Sequence, residues 1–236
     1  MKTIINRIRL FTVKEQAGHF YSYEVLIRLS DTVELFAHKK TSYGTFDSEK
    51  IAQYSEDVRW TGLLQKALGD KALILEEGLC GRTTAFDDET IPGANGSAAL
   101  PAILEASRPL DSAIIMLGTN DCKCVFHAPS DDITAGLEKC LKRILEAVKP
   151  ENILLISPLY MGEAALDFGC DNRSLAVSRE LKPAFQALAD QYGTAFLAAS
   201  DVAEPCAVDG QHLTQQGHYA LYEAVLKAIS PMIATE

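Results

Sequence analysis

The chain has 236 residues, with 22 Lys and Arg against 32 Asp and Glu, and therefore a formal net charge of -10. This acidic balance disfavours nucleic acid as a partner, because proteins that bind phosphate backbones concentrate Lys and Arg on one face. The sequence shows neither a signal peptide nor a run of about 18 apolar residues, so we expect a cytoplasmic protein with no membrane partner.

The first 38 residues show a strand-like alternation that differs from the remainder of the chain. Apolar side chains alternate with mostly polar ones over residues 21–29 and again over 33–37, a period of two that is typical of half-buried strands. The pattern predicts a small meander or hairpin whose last strand, residues 32–38, leads into the first strand of the main sheet. No Pro/Gly/Ser-rich linker follows, so we expect one domain over residues 1–236, with residues 1–31 as an atypical N-terminal extension.

Helices and strands alternate from about residue 60 onward. The predicted order is a helix from Trp60 that Gly69 ends, strand 72–75, helix 98–107, strand 112–117, a helix along the apolar stripe 137–148, strand 152–156, a helix near 174–192, strand 194–197 and a closing helix that Thr214 could cap. Pro183 should kink the helix near 174–192 or start it afresh. The alternation predicts an α/β fold, with a parallel sheet that carries helices on both faces.

Three polar strings follow predicted strands. Gly78-Leu-Cys-Gly-Arg-Thr-Thr84 comes after strand 72–75, Gly118-Thr-Asn-Asp121 after strand 112–117, and Asp209-Gly-Gln-His212 after strand 194–197 by way of a loop. Ligands of parallel α/β sheets bind beyond the carboxyl ends of the strands. We therefore expect the three strings to converge on one edge of the sheet.

The last of these strings places a carboxylate, Asp209, three residues before an imidazole, His212. An Asp can fix the tautomer of a nearby His, which then takes the proton from a serine hydroxyl and returns it to the leaving group. Acyl transfer also needs hydrogen-bond donors aimed at the developing oxyanion. Gly81 can offer a backbone N–H from a tight loop, and Asn120 can offer its side-chain amide.

Each of these four residues also has an ordinary structural role open to it. Gly81 could serve the backbone conformation of its loop, and Asn120 could cap the next element or hold a turn. Asp209 could bind the backbone of its own loop, and His212 could be a satisfied, half-buried histidine. The occurrence of all four at predicted strand ends favours a shared site over four separate coincidences.

Three other residues near these strings have simpler interpretations. Trp60, at a helix start with apolar residues one turn on, is predicted to be a core residue. Arg82 could bind a substrate carboxylate, although an ion pair with a nearby acidic side chain is the more ordinary role. His218, about one turn beyond the Asp209 to His212 string, is predicted to be a surface or interface residue.

The six cysteines, at positions 80, 122, 124, 140, 170 and 206, are scattered through apolar surroundings. They form no compact disulfide pattern, which suits a reducing compartment and predicts that most are small core residues. Only Cys122-Lys-Cys-Val-Phe-His127 resembles a metal-ligand cluster, and it lacks a second pair at zinc-site spacing. We therefore expect no metal site.

The strings Gly78 to Thr84, Leu117-Gly-Thr-Asn-Asp121 and Asp209-Gly-Gln-His-Leu213, in this order, resemble the second, third and fifth blocks of the SGNH (GDSL) hydrolases. With Asp57-Val-Arg-Trp-Thr-Gly62 ahead of them, they resemble the arylesterase and acyltransferase branch, from about residue 43 to the C-terminus. The resemblance implies a flavodoxin-like three-layer α/β/α fold, no cofactor, and hydrolysis or acyl transfer on small-molecule esters of short acyl groups. A homo-oligomer would be compatible with this branch.

The same resemblance assigns roles residue by residue, and it departs from the family at one place. Gly81 and Asn120 take the oxyanion-hole places, and Asp209 and His212 take the acid and base places of the triad. The family's first block, Gly-Asp-Ser, carries the nucleophilic serine at the end of the first strand. Here Tyr43-Gly44 match the end of that block, and counting back puts His38, Lys39 and Lys40 on the triplet.

The position of the serine is therefore occupied by Lys40, which lies twenty residues before Trp60, as the family spacing requires. A lysine in a loop beside Lys39 is more ordinarily a solvated charge than a nucleophile. Ser42, two residues along the same predicted loop, is the candidate nucleophile. Ser48 imitates the triplet through Asp47-Ser48 but follows no apolar strand, so it is the weaker candidate.

Two functional hypotheses follow from this departure. The first is an esterase or acyltransferase that uses Ser42, His212 and Asp209. The second is an SGNH-fold protein without catalytic power, which binds a ligand or partner because the nucleophilic serine is missing. We take the first as the leading hypothesis, because the oxyanion donors and the base are all present in the sequence.

Overall fold

The structure is a computed structural model that describes the backbone of residues 33–35 and 51–53 and all atoms of residues 54–233. The meander predicted before residue 32 lies outside these residues, as do Lys40, Ser42 and Ser48. The described elements are, in order, β1 Val33–Leu35, β2 Ile51–Gln53, α1 Trp60–Leu68, α2 Gly96–Ala106, β3 Ala113–Met116, α3 Ser130–Leu145, β4 Ile153–Ser157, α4 Asn172–Tyr192, β5 Ala195–Ala198 and α5 Gln215–Ile233.

Strands β3, β4 and β5 form a parallel sheet with β4 in the middle. Met116 of β3 lies opposite Ile156 of β4, which lies opposite Leu197 of β5, so the three strands end level with one another. Every residue of β4 is buried, as expected for an apolar run covered on both faces of a sheet. The predictions of strands near 112–117, 152–156 and 194–197 are confirmed to within about a residue.

The helices form two layers around this sheet. Helix α3 packs between α2 and α4, and α4 lies against β4 and β5; α1 packs on α5, which lies against β5. An apolar stripe on each helix explains this packing, and α3 is an example. Its buried side chains recur every three or four residues, at Ile133, Leu137, Leu141 and Ile144. Burying each of them stabilises the fold by about 1.5–3 kcal/mol. The protein thus has the predicted three-layer α/β/α fold. No helix in the described range 54–233 is long and apolar enough to cross a membrane.

One prediction for the early strands needs correction. The strand predicted at 32–38 is present as β1, which pairs antiparallel with β2; that it leads into the parallel sheet stays a prediction, because residues 36–50 lie outside the described residues. Residues 73–77 carry no helix or strand, although 72–75 were expected to form one. Ala72 and Ile74 are nevertheless buried while Leu73 is 42% exposed. The short apolar run that predicted a strand therefore lies in an irregular segment, in which the side chains are buried alternately.

Pro183 does not start a new helix, which was one of the two effects predicted for it. Helix α4 continues through this residue as one helix of 21 residues. A proline removes one backbone hydrogen bond of a helix, but Leu181 and Phe185 on either side are completely buried. Packing of this face stabilises the helix across the proline. The helix begins at a capping box formed by Asp171 and Ser174 and ends at Gly193, whose φ of 69° is left-handed.

Candidate active site

Asp209 and His212 lie side by side in the loop between β5 and α5. The carboxylate Oδ2 of Asp209 is hydrogen-bonded to Nδ1 of His212, and its Oδ1 accepts the backbone N–H groups of Gln211 at 2.8 Å and His212 at 2.9 Å. Both side chains are buried, with exposures of 1% for Asp209 and 5% for His212. The turn needs Gly210 between them, since its φ is 69°.

The charge state of Asp209 follows from these contacts. Burial by itself would raise the pKa of Asp209, but the hydrogen bond and charge of His212, with the backbone N–H groups of His212 and Gln211, lower it to about 2. The carboxylate is therefore ionised at neutral pH and accepts a proton-bearing Nδ1. In that tautomer Nε2 is the basic atom of the imidazole. The arrangement suits a general base.

The loop of Asp209 is attached to the sheet through the segment that follows β4. The N–H of Gly162 donates to the carbonyl of Gly210 at 2.8 Å. The backbones approach so closely that a Cβ on Gly210 would lie 2.6 Å from the carbonyl oxygen of Gly162. At the other end of the loop, Thr214 accepts the N–H of Gly217 at 3.0 Å and so caps α5, as predicted. The Asp209–His212 pair is thus held between β4 and α5.

The two proposed oxyanion donors lie on loops that contact each other. Asn120 opens a short 3-10 turn just after β3, is 1% exposed, and donates from Nδ2 to the carbonyl of Arg82 at 3.0 Å. Gly81, the residue before Arg82, is buried and has a φ of 82°, which a residue with a side chain rarely adopts. The structure therefore brings Asn120 beside the loop of Gly81.

The four residues expected at one edge of the sheet are thus found in two groups, Asp209 with His212 and Gly81 with Asn120. Asn120 follows β3 and the Asp209–His212 loop follows β5, and these strands end level with β4 between them. The fifth residue, Ser42, lies outside the described residues, so its position relative to His212 stays a prediction.

His218 is not the surface or interface residue that the sequence predicted. It is 0% exposed, and its Nδ1 accepts the backbone N–H of Trp60 at 3.4 Å. Burial, followed by the charges of Arg59 and His212, lowers the pKa of His218 to about 3, so the ring is neutral. The periodicity of α5 does not reveal that this face packs on α1. Trp60 itself is 1% exposed and is a core residue, as predicted.

The surroundings of Arg82 and of the six cysteines indicate roles in the fold. Arg82 is 4% exposed and donates from Nη1 to the carbonyl of Gly93 at 2.7 Å. All six cysteines are free thiols; those at 122, 140 and 170 are buried, and those at 80, 124 and 206 are half-buried. Over residues 54–233 no group of three or more His, Cys, Asp or Glu is arranged to hold a metal ion.

Comparison with known proteins places the chain among esterases. The profile of the GDSL-like lipase/acylhydrolase family matches residues 41–220, whereas no curated protein sequence matches. Est24, a carbohydrate acetylesterase from Sinorhizobium meliloti, is 33% identical, and the match covers 80% of this chain and 92% of Est24 with a TM-score of 0.72.

The aryl esterase of M. smegmatis is similarly related. It is 32% identical, and the match covers 79% of this chain and 91% of the esterase with a TM-score of 0.73. These structural relatives share the α/β/α layers described above. Because the family profile spans well over half of the chain and two esterases of known structure are more than 30% identical to it, the protein belongs to the GDSL-like lipase/acylhydrolase family, the SGNH hydrolases.

Proposed function

We propose that the protein hydrolyses small-molecule carboxylic esters with short acyl groups, including acetyl esters, by a Ser-His-Asp mechanism. The observation that carries the proposal is the buried Asp209–His212 pair, in which an ionised carboxylate is bonded to Nδ1 of the imidazole. A carbohydrate acetylesterase among the structural relatives supports the choice of acetyl esters, and an aryl esterase among them supports ester hydrolysis in general.

In this mechanism His212 transfers the proton, and Asp209 orients the imidazole ring of His212. The serine oxygen attacks the ester carbonyl carbon while Nε2 of His212 takes the hydroxyl proton, and the same proton passes to the alcohol as the C–O bond breaks. Water, activated by His212 in turn, then cleaves the acyl-enzyme to the carboxylic acid and the free serine. An alcohol in place of this water would give acyl transfer. Asp209 stabilises the imidazolium that forms in each half of the reaction.

The proposed oxyanion donors are the backbone N–H of Gly81 and the side-chain amide of Asn120. An amide nitrogen carries two hydrogens, so Asn120 can donate to the carbonyl of Arg82 and to an oxyanion as well. The contact with Arg82 fixes the plane of the amide before the substrate arrives. Donors that are already oriented require no reorganisation in the transition state, which is why each is worth about 10²–10³ in kcat.

The first test removes the base. In His212→Ala, hydrolysis of p-nitrophenyl acetate should fall by about 10²–10⁴, because that is the usual contribution of a general base. His127 is exposed and is none of the proposed site residues, so His127→Ala is the matched control and should keep the wild-type rate. Equal rates in wild type, His212→Ala and buffer would contradict the proposal.

The second test identifies the nucleophile, for which we propose Ser42. A fluorophosphonate should label the native protein once, and peptide mass spectrometry should find the label on Ser42; Ser42→Ala should abolish both labelling and hydrolysis. Label on another serine would move the nucleophile there and contradict the role of Ser42.

Absence of labelling would favour the second hypothesis, a ligand-binding or partner-binding protein with the same fold. Two observations keep this alternative in view: Lys40 occupies the family's serine position in the sequence, and the family profile begins to match only at residue 41.

A further inference from the structure

Asp121 is a buried carboxylate that the acid–base steps above do not use. It directly follows Asn120 after β3, and its side chain is 0% exposed. A charged group costs free energy when it leaves water, so a buried carboxylate needs strong hydrogen bonds. The partners of Asp121 therefore indicate what it does.

Two hydrogen bonds join the carboxylate to one residue of the Gly81 loop. The Oδ1 atom of Asp121 accepts the backbone N–H of Thr84 at 2.8 Å and the Thr84 hydroxyl at 2.5 Å. The neighbouring Asn120 donates to the carbonyl of Arg82 at 3.0 Å. Two adjacent residues after β3 thus bind two residues of the Gly81 loop, through three hydrogen bonds.

Thr84 is also confined from the side of helices α2 and α3. Its carbonyl accepts the N–H of Ser97 at 2.9 Å and the thiol of Cys140 at 3.2 Å. A Cβ on Gly136 of α3 would lie 2.2 Å from the Thr84 hydroxyl oxygen. The hydroxyl therefore lies in a space that only a glycine of α3 leaves open, and it points its hydrogen at Asp121.

The burial of Asp121 carries an electrostatic cost. Burial raises its pKa to about 6, although the hydrogen bonds from Thr84 act in the opposite direction. A neutral amide of the same shape could accept both Thr84 hydrogens with its oxygen and would avoid the cost of burying a charge, although its NH2 group would take the place of Oδ2, which has no hydrogen-bond partner among the described residues. The geometry, in which one oxygen accepts two donors of Thr84, thus depends on an acceptor at this position and not on its charge.

We propose that Asp121 is a positioning residue for the oxyanion site, and that its bonds to Thr84 fix the distance between the N–H of Gly81 and the amide of Asn120. The inference rests on the proposed ester hydrolysis and deepens it. Asp121 touches neither substrate nor the reacting atoms in this role. It acts through Thr84 on one donor and through its neighbour in sequence on the other.

A residue of this kind affects the transition state more than the bound substrate. The negative charge that Gly81 and Asn120 would stabilise exists only once the carbonyl has been attacked. Misplacement of the donors should therefore lower kcat and leave KM nearly unchanged. A residue that only stabilised the fold would change neither constant in the folded enzyme.

Four variants separate the acceptor from its charge. In Asp121→Ala, which removes the acceptor, kcat for p-nitrophenyl acetate should fall about tenfold to a hundredfold, as small displacements of catalytic groups do. In Thr84→Val, which loses only the hydroxyl, kcat should fall about threefold to tenfold, on the order of one lost hydrogen bond. Asp121→Asn and Thr84→Ser keep the hydrogen bonds, so their kcat should stay within about threefold of the wild-type value, in line with the modest effect of retained contacts.

Asp190→Ala removes an exposed carboxylate of α4 and is the matched control for loss of an acid. A kcat of Asp121→Ala equal to that of this control would overturn the inference. So would a rise in KM at unchanged kcat.

An NMR measurement keeps the inference testable if a variant or the wild type proves inactive. The side-chain amide hydrogens of Asn120 should exchange with solvent at least about tenfold faster in Asp121→Ala, relative to the backbone amides of β4, since loss of a local contact opens a local segment. Unchanged relative exchange would overturn the inference. Faster exchange in a protein whose wild type hydrolyses no ester would leave the positioning role standing and refute the proposed function instead.

Discussion

At the scale of single residues, the low pKa of Asp209 predicts how stability depends on pH. The pKa is lowered from 3.8 to about 2 in the folded protein, so the folded state favours the ionised carboxylate. This contribution is fully present above pH 3.8 and is lost as the pH falls toward 2. A difference of nearly two units corresponds to about 2 kcal/mol.

The variant Asp209→Asn lacks this contribution at every pH. In urea unfolding, the wild type should therefore be more stable than Asp209→Asn by about 2 kcal/mol near pH 6, and the gap should narrow as the pH is lowered from 4 to 3. Asp190→Asn, which changes an exposed residue, should track the wild type throughout. A gap that stays constant between pH 3 and pH 6 would contradict the assignment of the stabilisation to the ionised pair.

The candidate site shows what a sequence can and cannot reveal about single residues. Asp209 and His212 lie three residues apart, so one local turn suffices to join them, and their pairing could be expected from spacing alone. The hydrogen bonds that Thr84 donates to Asp121 join residues 37 positions apart, and no local pattern indicates them. His218 was misjudged for the same reason, because its partner Trp60 is 158 positions away.

At the scale of helices and strands, prediction succeeded where one apolar pattern determines the element. The runs that became β3 and β4 and the stripe along α3 are such cases, since burial on known faces selects their form. It failed where the form depends on a neighbour. The short apolar run at 72–75 fits both a strand and an irregular segment with buried side chains, and only a hydrogen-bonded partner strand would distinguish them. Pro183 is tolerated in α4 because buried neighbours hold the helix, a tertiary effect that propensity does not contain.

At the scale of the whole molecule, both helical layers depend on the same core. Nearly all the buried apolar side chains of residues 54–233 form one cluster, which includes Trp60 and Leu64 of α1, Leu154 and Leu155 of β4, and Phe185 of α4. A layer that separated would expose its share of this cluster to water, at about 25 cal/mol for each Å² of apolar surface. Neither layer has a core of its own among the described residues, so we expect them to unfold together.

The single tryptophan of the chain makes this expectation measurable. Trp60 lies in α1 and is 1% exposed, so its fluorescence reports the α1–α5 layer, whereas far-UV circular dichroism is dominated by all five helices. Urea unfolding followed by both signals should give one transition with the same midpoint, within about 0.3 M, as two-state unfolding requires. In the control variant Asp190→Asn, the fluorescence and circular dichroism midpoints should coincide as they do in the wild type. Midpoints that differ by more than about 1 M would show that the two helical layers unfold independently, as two cooperative units.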